Sequence, residues 1–184
     1  MSIRNLSAAS LALLMFSAIA FSQAAVERQQ GLNSYRAGEF AAAISTFEKL
    51  VAIGEADQVT GQYLAAAYAR SNDEKKAVKV LEGIRSLKPR MAPLDFDKTA
   101  VLLTHPRATF GERARRSIVS GSISVLVDLK ADGTIGFVVP FNATSELMND
   151  GAITASKSIT FEPATVNGKP VDSVRIMIFN FNRY

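Results

Sequence analysis

The sequence predicts an α+β fold, with a helical N-terminal half followed by a small strand–strand–helix–strand module. Three observations predict it. Residues from about 26 to 87 are rich in Ala, Leu, Glu, Lys and Gln and contain no proline. Gly121–Leu129 alternates apolar and polar residues with a period of two, which is typical of a strand. Asp132-Gly133 then stands between two alternating segments, which is a strong hairpin signal.

The C-terminal module follows from the same patterns. The first strand buries one face, formed by Ile123, Val125, Val127 and Leu129. The second strand continues the alternation with Ile135, Phe137 and Val139, Ser145–Ser158 has helical character, and the last strand carries Val174, Ile176 and Ile178. A module of this kind usually acts by being bound and not by doing chemistry.

Several short motifs of this module occur in an order and spacing that resemble one known family. They are Gly121 before the first strand, V-D-x-x-x-D-G ending at Gly133, a helix with Leu147, Ala152, Ile153 and Ala155, F-x-P-A at 161–164, N-G-K-P-V at 167–171, and a closing strand that ends in Phe181. With a lead-in containing Pro106 and Ala108, residues from about 104 to 184 resemble the TonB C-terminal domain family.

The resemblance implies a docking edge, because in that family the C-terminal strand meets a short peptide of outer-membrane transporters. By that resemblance, the docking edge here is Val174, Arg175, Ile176, Met177, Ile178, Phe179 and Phe181. We expect Val174, Ile176 and Ile178 to face the helix 145–158. Arg175, Met177, Phe179 and Phe181 would then form the other face, which is apolar enough to need a cover.

The helical half contains an internal repeat of 34 residues. Gly31, Ala43, Phe47 and Leu50 correspond at that spacing to Ala65, Ala77, Leu81 and Ile84, and a spacing of 34 is that of the tetratricopeptide repeat. Residues from about 26 to 89 therefore resemble two tetratricopeptide units, while a plain helical bundle stays open as the alternative. Two units need a cover at the exposed end, and Leu94–Leu103 is expected to be a capping helix.

Arg36 and Arg70 occupy equivalent positions in the two units. They are the candidates for binding an acidic or C-terminal carboxylate peptide, and two solvated arginines are the alternative.

The first residues predict a signal peptide. Arg4 precedes an apolar stretch, Leu11–Phe21, and small residues follow, so cleavage after Ala24 and a periplasmic location are expected. A retained membrane anchor stays open as an alternative; with cleavage the chain has no transmembrane segment. The absence of cysteine excludes structural disulfides and a lipid-modified cysteine.

No residue pattern indicates an active site, a cofactor or a metal, so the chain is expected not to be an enzyme. The single histidine, His105, has no cysteine partner for a zinc site. Asp128 and Asp132 are a candidate carboxylate pair, although aspartates beside a hairpin usually serve the turn. The arginines among residues 107–116 indicate either a patch for acidic lipid, cell wall or partner, or a solvated linker. The net charge of +4 is mild, and nucleic-acid binding is not expected.

These observations divide the chain into a signal peptide (1–24), a helical domain (25–103), a linker (104–120) and the strand module (121–184). The leading hypothesis is a non-enzymatic periplasmic adaptor, an accessory protein of envelope transport that binds one partner at the strand edge and another with the helical repeats. Its partners would be envelope proteins, with outer-membrane transporters or energy-transduction components as candidates. The alternative is a structural envelope component that self-associates, for example as a homodimer, through the same edge.

Overall fold

The computed structural model describes residues 23–89, 94–110 and 120–181. The fold is α+β, as predicted. Four helices form the N-terminal half: α1 at residues 23–36, α2 at Phe40–Ala52, α3 at Gln58–Arg70 and α4 at Glu74–Glu82, followed by a 3₁₀ turn at Ile84–Ser86. The predicted signal peptide, apart from residues 23 and 24, lies outside the described residues.

The helices form two hairpins that repeat at the predicted spacing of 34 residues. Gly38 (φ 80°) turns the chain between α1 and α2, and Asn72 (φ 60°) does the same between α3 and α4. Both are residue types that tolerate the left-handed region. Asp57 and Asp73 cap α3 and α4 by accepting hydrogen bonds from the amides of residues 60 and 76.

Small residues allow the helices of each hairpin to approach closely. Ala43 and Ala77 are fully buried at equivalent positions, as are Phe47 and Leu81. A Cβ atom on Gly31 would lie 2.5 Å from the Phe47 ring, so only glycine fits there without a shift. The repeat is therefore a repeat of packing, while its assignment to the tetratricopeptide class stays a prediction.

The strand module follows the predicted order and adds short strands. Its elements are β1 (Val101–Leu102), β2 (Gly121–Leu129), β3 (Ile135–Phe141), a 3₁₀ turn (Glu146–Met148), α5 (Asn149–Lys157), β4 (Phe161–Glu162), β5 (Ala164–Val166), β6 (Lys169–Val171) and β7 (Ser173–Phe181). The main sheet is antiparallel with the order β3–β2–β7, so β2 is central. The pairs β1–β4 and β5–β6 form two small additional ladders.

The two β-hairpin turns, between β2 and β3 and between β5 and β6, are fixed by interactions of neighbouring residues. Gly133 has φ 82°, and the Asp132 carboxylate accepts hydrogen bonds from the Thr134 amide and hydroxyl at 2.9 and 2.6 Å. Asn167 and Gly168 have φ 50° and 73° between β5 and β6. Two consecutive positive φ angles are what a tight two-residue hairpin turn requires.

Both faces of the main sheet are covered by the same chain. Ile123, Val125, Val127 and Leu129 pack with α5, as predicted for one buried face, together with Met177, Phe179 and Phe181. The opposite face packs against the helical hairpins through Leu126, Phe137, Val139, Phe141, Val174 and Ile176. The two halves of the chain therefore share one interface, and every residue of β2 from Ile123 to Leu129 is buried.

Two sequence predictions are wrong. Val174 and Ile176 face the helical hairpins and not α5, whereas Phe179 and Phe181 face α5. Both faces of β7 are apolar, so alternation along the strand did not reveal which cover belongs to which face.

The second wrong prediction is the capping helix at Leu94–Leu103. This segment is irregular or extended, since β1 pairs with β4 and the Asp97 amide donates to the Thr165 carbonyl oxygen at 2.9 Å. Pairing with strands distant in sequence outweighs the local helical signals. Among the described residues, no helix combines the length and apolar character that crossing a membrane requires.

Candidate functional site

The last strand of the main sheet, β7, has an outer edge that is unpaired in the described part of the chain. It pairs with β2 in an unbroken register from Gly121–Phe181 to Leu129–Ser173. Within the described residues no strand pairs with its other side. An edge of this kind presents a row of main-chain donors and acceptors that another strand can pair with.

The hydrogen bonds of Ser122 show which amides of β7 point outward. The Ser122 amide donates to the Thr144 hydroxyl at 3.2 Å and its carbonyl oxygen accepts from the Thr144 amide at 3.0 Å, so both groups point to the β3 side and away from β7. Asn180, which lies opposite Ser122 in the register, therefore directs its amide away from β2. Because main-chain groups alternate sides along an antiparallel strand, the amides of Val174, Ile176 and Ile178 point outward too.

The side chains along β7 divide its edge into two parts. Near its start, residues 94–100 approach the strand: a cavity of about 230 Å³ lies between Leu94, Phe96 and Val174, and Arg175 donates to the Ala100 carbonyl oxygen at 3.4 Å. Further along, Ile178 is 61% exposed and Asn180 is exposed. The accessible stretch of the edge is therefore Ile176–Phe181.

Phe179 and Phe181 contribute packing beneath this edge and not contact surface. Phe179 is 6% exposed and Phe181 is 2% exposed. The ring of Phe110 lies 4.7 Å from that of Phe181, centroid to centroid, so the end of the lead-in segment helps to bury the strand. Met177 is half-buried on the same face.

Arg70 lies at the interface between the two halves. Its Nη2 is 2.8 Å from a carboxylate oxygen of Asp128 on β2 and 2.8 Å from one of Asp172, just before β7. The Tyr35 hydroxyl lies 3.5 Å from the other oxygen of Asp128. These four residues form the Arg70 cluster, which holds the end of α3 against the sheet.

The carboxylate of Asp128 is fully buried in this cluster. Burial raises its pKa, and the adjacent Arg70 opposes this only in part. Gly136 on β3 leaves the space that the carboxylate fills, since a Cβ atom there would lie 2.0 Å from Oδ2. Asp172 also accepts a hydrogen bond from the Ala131 amide at 2.8 Å, which ties the β2–β3 turn to the same cluster.

Arg36 makes the equivalent contact from the first hairpin. Its two terminal nitrogens donate to the two carboxylate oxygens of Asp95, both at 2.7 Å, and Gln29 donates to the same carboxylate at 2.8 Å. Its guanidinium lies 4.9 Å from the centre of the Phe96 ring. Hydrogen bonds from Arg36 lower the pKa of Asp95. Arg36, Gln29, Asp95 and Phe96 form the Arg36 cluster.

Sequence reasoning found the two arginines but not their partners. Both guanidinium groups bind carboxylates, as the residue type suggested, and those carboxylates belong to the same chain. The binding of a separate peptide by Arg36 and Arg70 stays a prediction. Asp95 and Asp172 gave no signal in the sequence, because they lie 59 and 102 residues from their arginines.

The structure does not bring the other candidate site residues together. Asp128 points into the Arg70 cluster while Asp132 serves the hairpin turn, so they do not form a pair. His105 and Arg107 are exposed, and the rest of the arginine-rich stretch, including Arg113, Arg115 and Arg116, lies outside the described residues. In the part of the chain that the structure describes, no group of three acidic or histidine side chains is arranged to hold a metal ion.

Comparison with known proteins gave few matches. No family model matches the sequence, and no curated protein does. Among solved structures, the C-terminal domain of TonB from Pseudomonas aeruginosa, determined in solution by NMR, is similar with 22% sequence identity and a TM-score of 0.39. The similarity covers 47% of this chain and 89% of that domain. Similarity at this level does not establish a family for the chain.

Proposed function

We propose that the chain is a non-enzymatic periplasmic adaptor of the cell envelope, with a TonB-like strand module that binds an extended segment of a partner protein along β7. The observation that carries the proposal is the outer edge of β7, with which no strand pairs among the described residues and where the amides of Ile176, Ile178 and Asn180 point outward. Strand addition obtains affinity from main-chain hydrogen bonds and selectivity from alternate side chains. The motifs of the module and the predicted signal peptide support an envelope role.

The helical hairpins, proposed to be tetratricopeptide-like, would bind a second envelope protein. The hairpins pack against the sheet at Leu126, Val139 and Phe141. Two binding surfaces on one chain raise the effective concentration of one partner near the other. Outer-membrane transporters and energy-transduction components are the candidate partners.

The test is site-specific photocrosslinking in cells that express the full chain. A photoreactive residue at Asn180, which is exposed at the accessible end of β7, should form an adduct with an envelope protein. The matched control is a photoreactive residue at Lys157, which is exposed but lies at the end of α5, outside both proposed binding surfaces. It should give no such adduct.

Adding Ile178→Pro sharpens the test. Proline removes one outward amide, leaves the pairing with β2 in place, and replaces a side chain that is 61% exposed. The adduct at Asn180 should then disappear while the circular dichroism spectrum is unchanged. An adduct that persists in a folded Ile178→Pro chain would contradict docking at this edge.

The mass of the adduct separates the two candidate roles. An adduct between this chain and a different protein supports the adaptor. An adduct of twice the mass of the chain would instead support the structural component that self-associates through β7, and the adaptor proposal would then be wrong.

A further inference from the structure

The Arg36 cluster has the composition of a peptide-binding site. A bidentate arginine–carboxylate pair, a third hydrogen bond from a glutamine and an aromatic ring against the guanidinium together recognise an acidic residue followed by an aromatic one. In this structure Asp95 and Phe96 supply those two groups.

The site belongs to the helical half. Arg36 and Gln29 both lie on α1, and with Asp95 in place the side chain of Arg36 is only 11% exposed. Arg36 also lies in the last turn of α1, where the helix dipole faces it with negative charge and stabilises the guanidinium. Its remaining donor, Nε, is buried and has no hydrogen-bond partner among the described residues.

The occupant is held less firmly than the site. Asp95 is 30% exposed, and residues 94–96 belong to no helix or strand. The first main-chain hydrogen bond that ties this segment to the strand module is that of Asp97 to Thr165. Leu94 is partly buried and packs against the core of the helical half. Residues 94–96 can therefore leave the site without breaking a helix or a sheet.

We propose that Arg36 and Gln29 form a recognition site for an extended acidic–aromatic peptide of a partner protein, and that residues 94–96 occupy it as an internal competitor. This deepens, and rests on, the part of the proposed function that gives the helical hairpins a second partner. A segment tethered in the same chain acts at an effective concentration on the order of millimolar. A partner peptide must therefore bind the site more favourably than this segment does in order to displace it.

The probe is a synthetic peptide with the sequence of residues 94–98, Leu-Asp-Phe-Asp-Lys, acetylated and carrying a fluorophore on its lysine. Binding is followed by fluorescence anisotropy with three full-length proteins: the wild type, Asp95→Asn/Phe96→Ala, and the same double variant with Arg36→Met. The double variant should bind the peptide roughly tenfold or more tightly than the wild type, because the competitor is disabled. The triple variant should lose this binding.

A change in the peptide provides a control that leaves the protein intact. The peptide Leu-Asn-Phe-Asp-Lys should bind the double variant at least roughly tenfold more weakly, since it lacks the charge that Arg36 grips. If the triple variant fails to fold, the comparison of the two peptides tests recognition of the acidic residue instead. Equal binding of the peptide to wild type and double variant would overturn the proposal. So would equal binding of the two peptides, or no binding to the double variant at millimolar peptide.

The β7 edge is kept separate in the same assay. Adding Ile178→Pro to the double variant should leave peptide binding unchanged, because the groups that hold Asp95 and Phe96 lie on α1 and Ile178 is not among them. If peptide binding fails while the Asn180 adduct forms, the internal competitor is wrong and docking at β7 stands. If the peptide binds as expected but the Asn180 adduct does not form, docking at β7 is wrong and the internal competitor stands.

Discussion

Replacing Arg70 by methionine should destabilise the protein by about 3–4 kcal/mol at pH 7, since removing one partner of a buried ion pair costs roughly 3–5 kcal/mol. Methionine keeps much of the apolar stem of Arg70 and removes its charge. The carboxylate of Asp128 then stays fully buried without its cation, and Asp172, 28% exposed, loses the same partner. The lower half of the range applies because Asp172 can turn to water.

Protonation of Asp128 sets an upper limit on this cost. An unpaired buried carboxylate can take up a proton, and at pH 7 neutralising a group of ordinary pKa about 3.9 costs about 1.4 kcal/mol per pH unit, or about 4 kcal/mol. Burial already raises the pKa of Asp128, and Arg70 is the principal group that opposes this. Without Arg70, the pKa of Asp128 must rise further.

The sign of the pH dependence follows. In the variant the folded state holds a proton on Asp128 at pH values where the unfolded state has lost it. Stability therefore rises as the pH falls through the folded-state pKa towards the unfolded-state value. The deficit of the variant relative to wild type should shrink between pH 7 and pH 5 by up to about 3 kcal/mol, at about 1.4 kcal/mol per unit.

Urea denaturation at both pH values measures this directly. Arg85→Met is the matched control, because Arg85 is exposed on the 3₁₀ turn after α4, and its loss should change the free energy of unfolding by less than about 0.5 kcal/mol. A deficit below about 1 kcal/mol for Arg70→Met at pH 7 would refute the reasoning, given the cost expected for a buried pair. So would a deficit that is equal at the two pH values.

Three further changes test the same packing by thermal or urea unfolding. Asp128→Asn should cost less than Arg70→Met, because Arg70 keeps Asp172 as its ionic partner, and it should rescue most of the Arg70→Met deficit, because the buried charge is gone; an additive double variant would contradict this. Gly136→Ala should cost about 1–3 kcal/mol, since its Cβ would lie 2.0 Å from the Asp128 carboxylate. It should cost at least as much as Gly133→Ala, and a smaller cost would contradict that contact. Gly31→Ala should also cost about 1–3 kcal/mol, because the new Cβ would clash with the Phe47 ring. A stability equal to wild type would show that α1 and α2 can move apart without loss.

Predictions that depend on neighbouring residues were correct. The hairpin at Asp132-Gly133 and the helix within 145–158 form where the sequence placed them. The cap of α4 is equally local, since the Asp73 carboxylate accepts a hydrogen bond from the Lys76 amide. In each case the hydrogen bonds that fix the structure join residues only two to four positions apart, so the local pattern contains the necessary information.

Predictions that depend on distant residues were less successful. Asp95 and Asp97 lie in the segment that was expected to be a capping helix, yet each carboxylate is engaged elsewhere: Asp95 by Arg36 and Asp97 by the Gly168 amide at 2.7 Å. Both partners lie more than 50 residues away. A sequence pattern with a period of a few residues cannot indicate which of several local structures such contacts will select.

The sequence by itself determined the α+β class, the 34-residue repeat of the helical hairpins and the order of the main strands, because these rest on periodicity and turn chemistry. Only the tertiary structure decided that the helical half covers the Val174–Ile176 side of β7 and that Arg36 and Arg70 bind carboxylates of their own chain. The physical reason is that both faces of β7 are apolar and either could be buried. The choice follows from how the surfaces of the two halves fit each other, and it leaves the edge from Ile176 to Phe181 accessible.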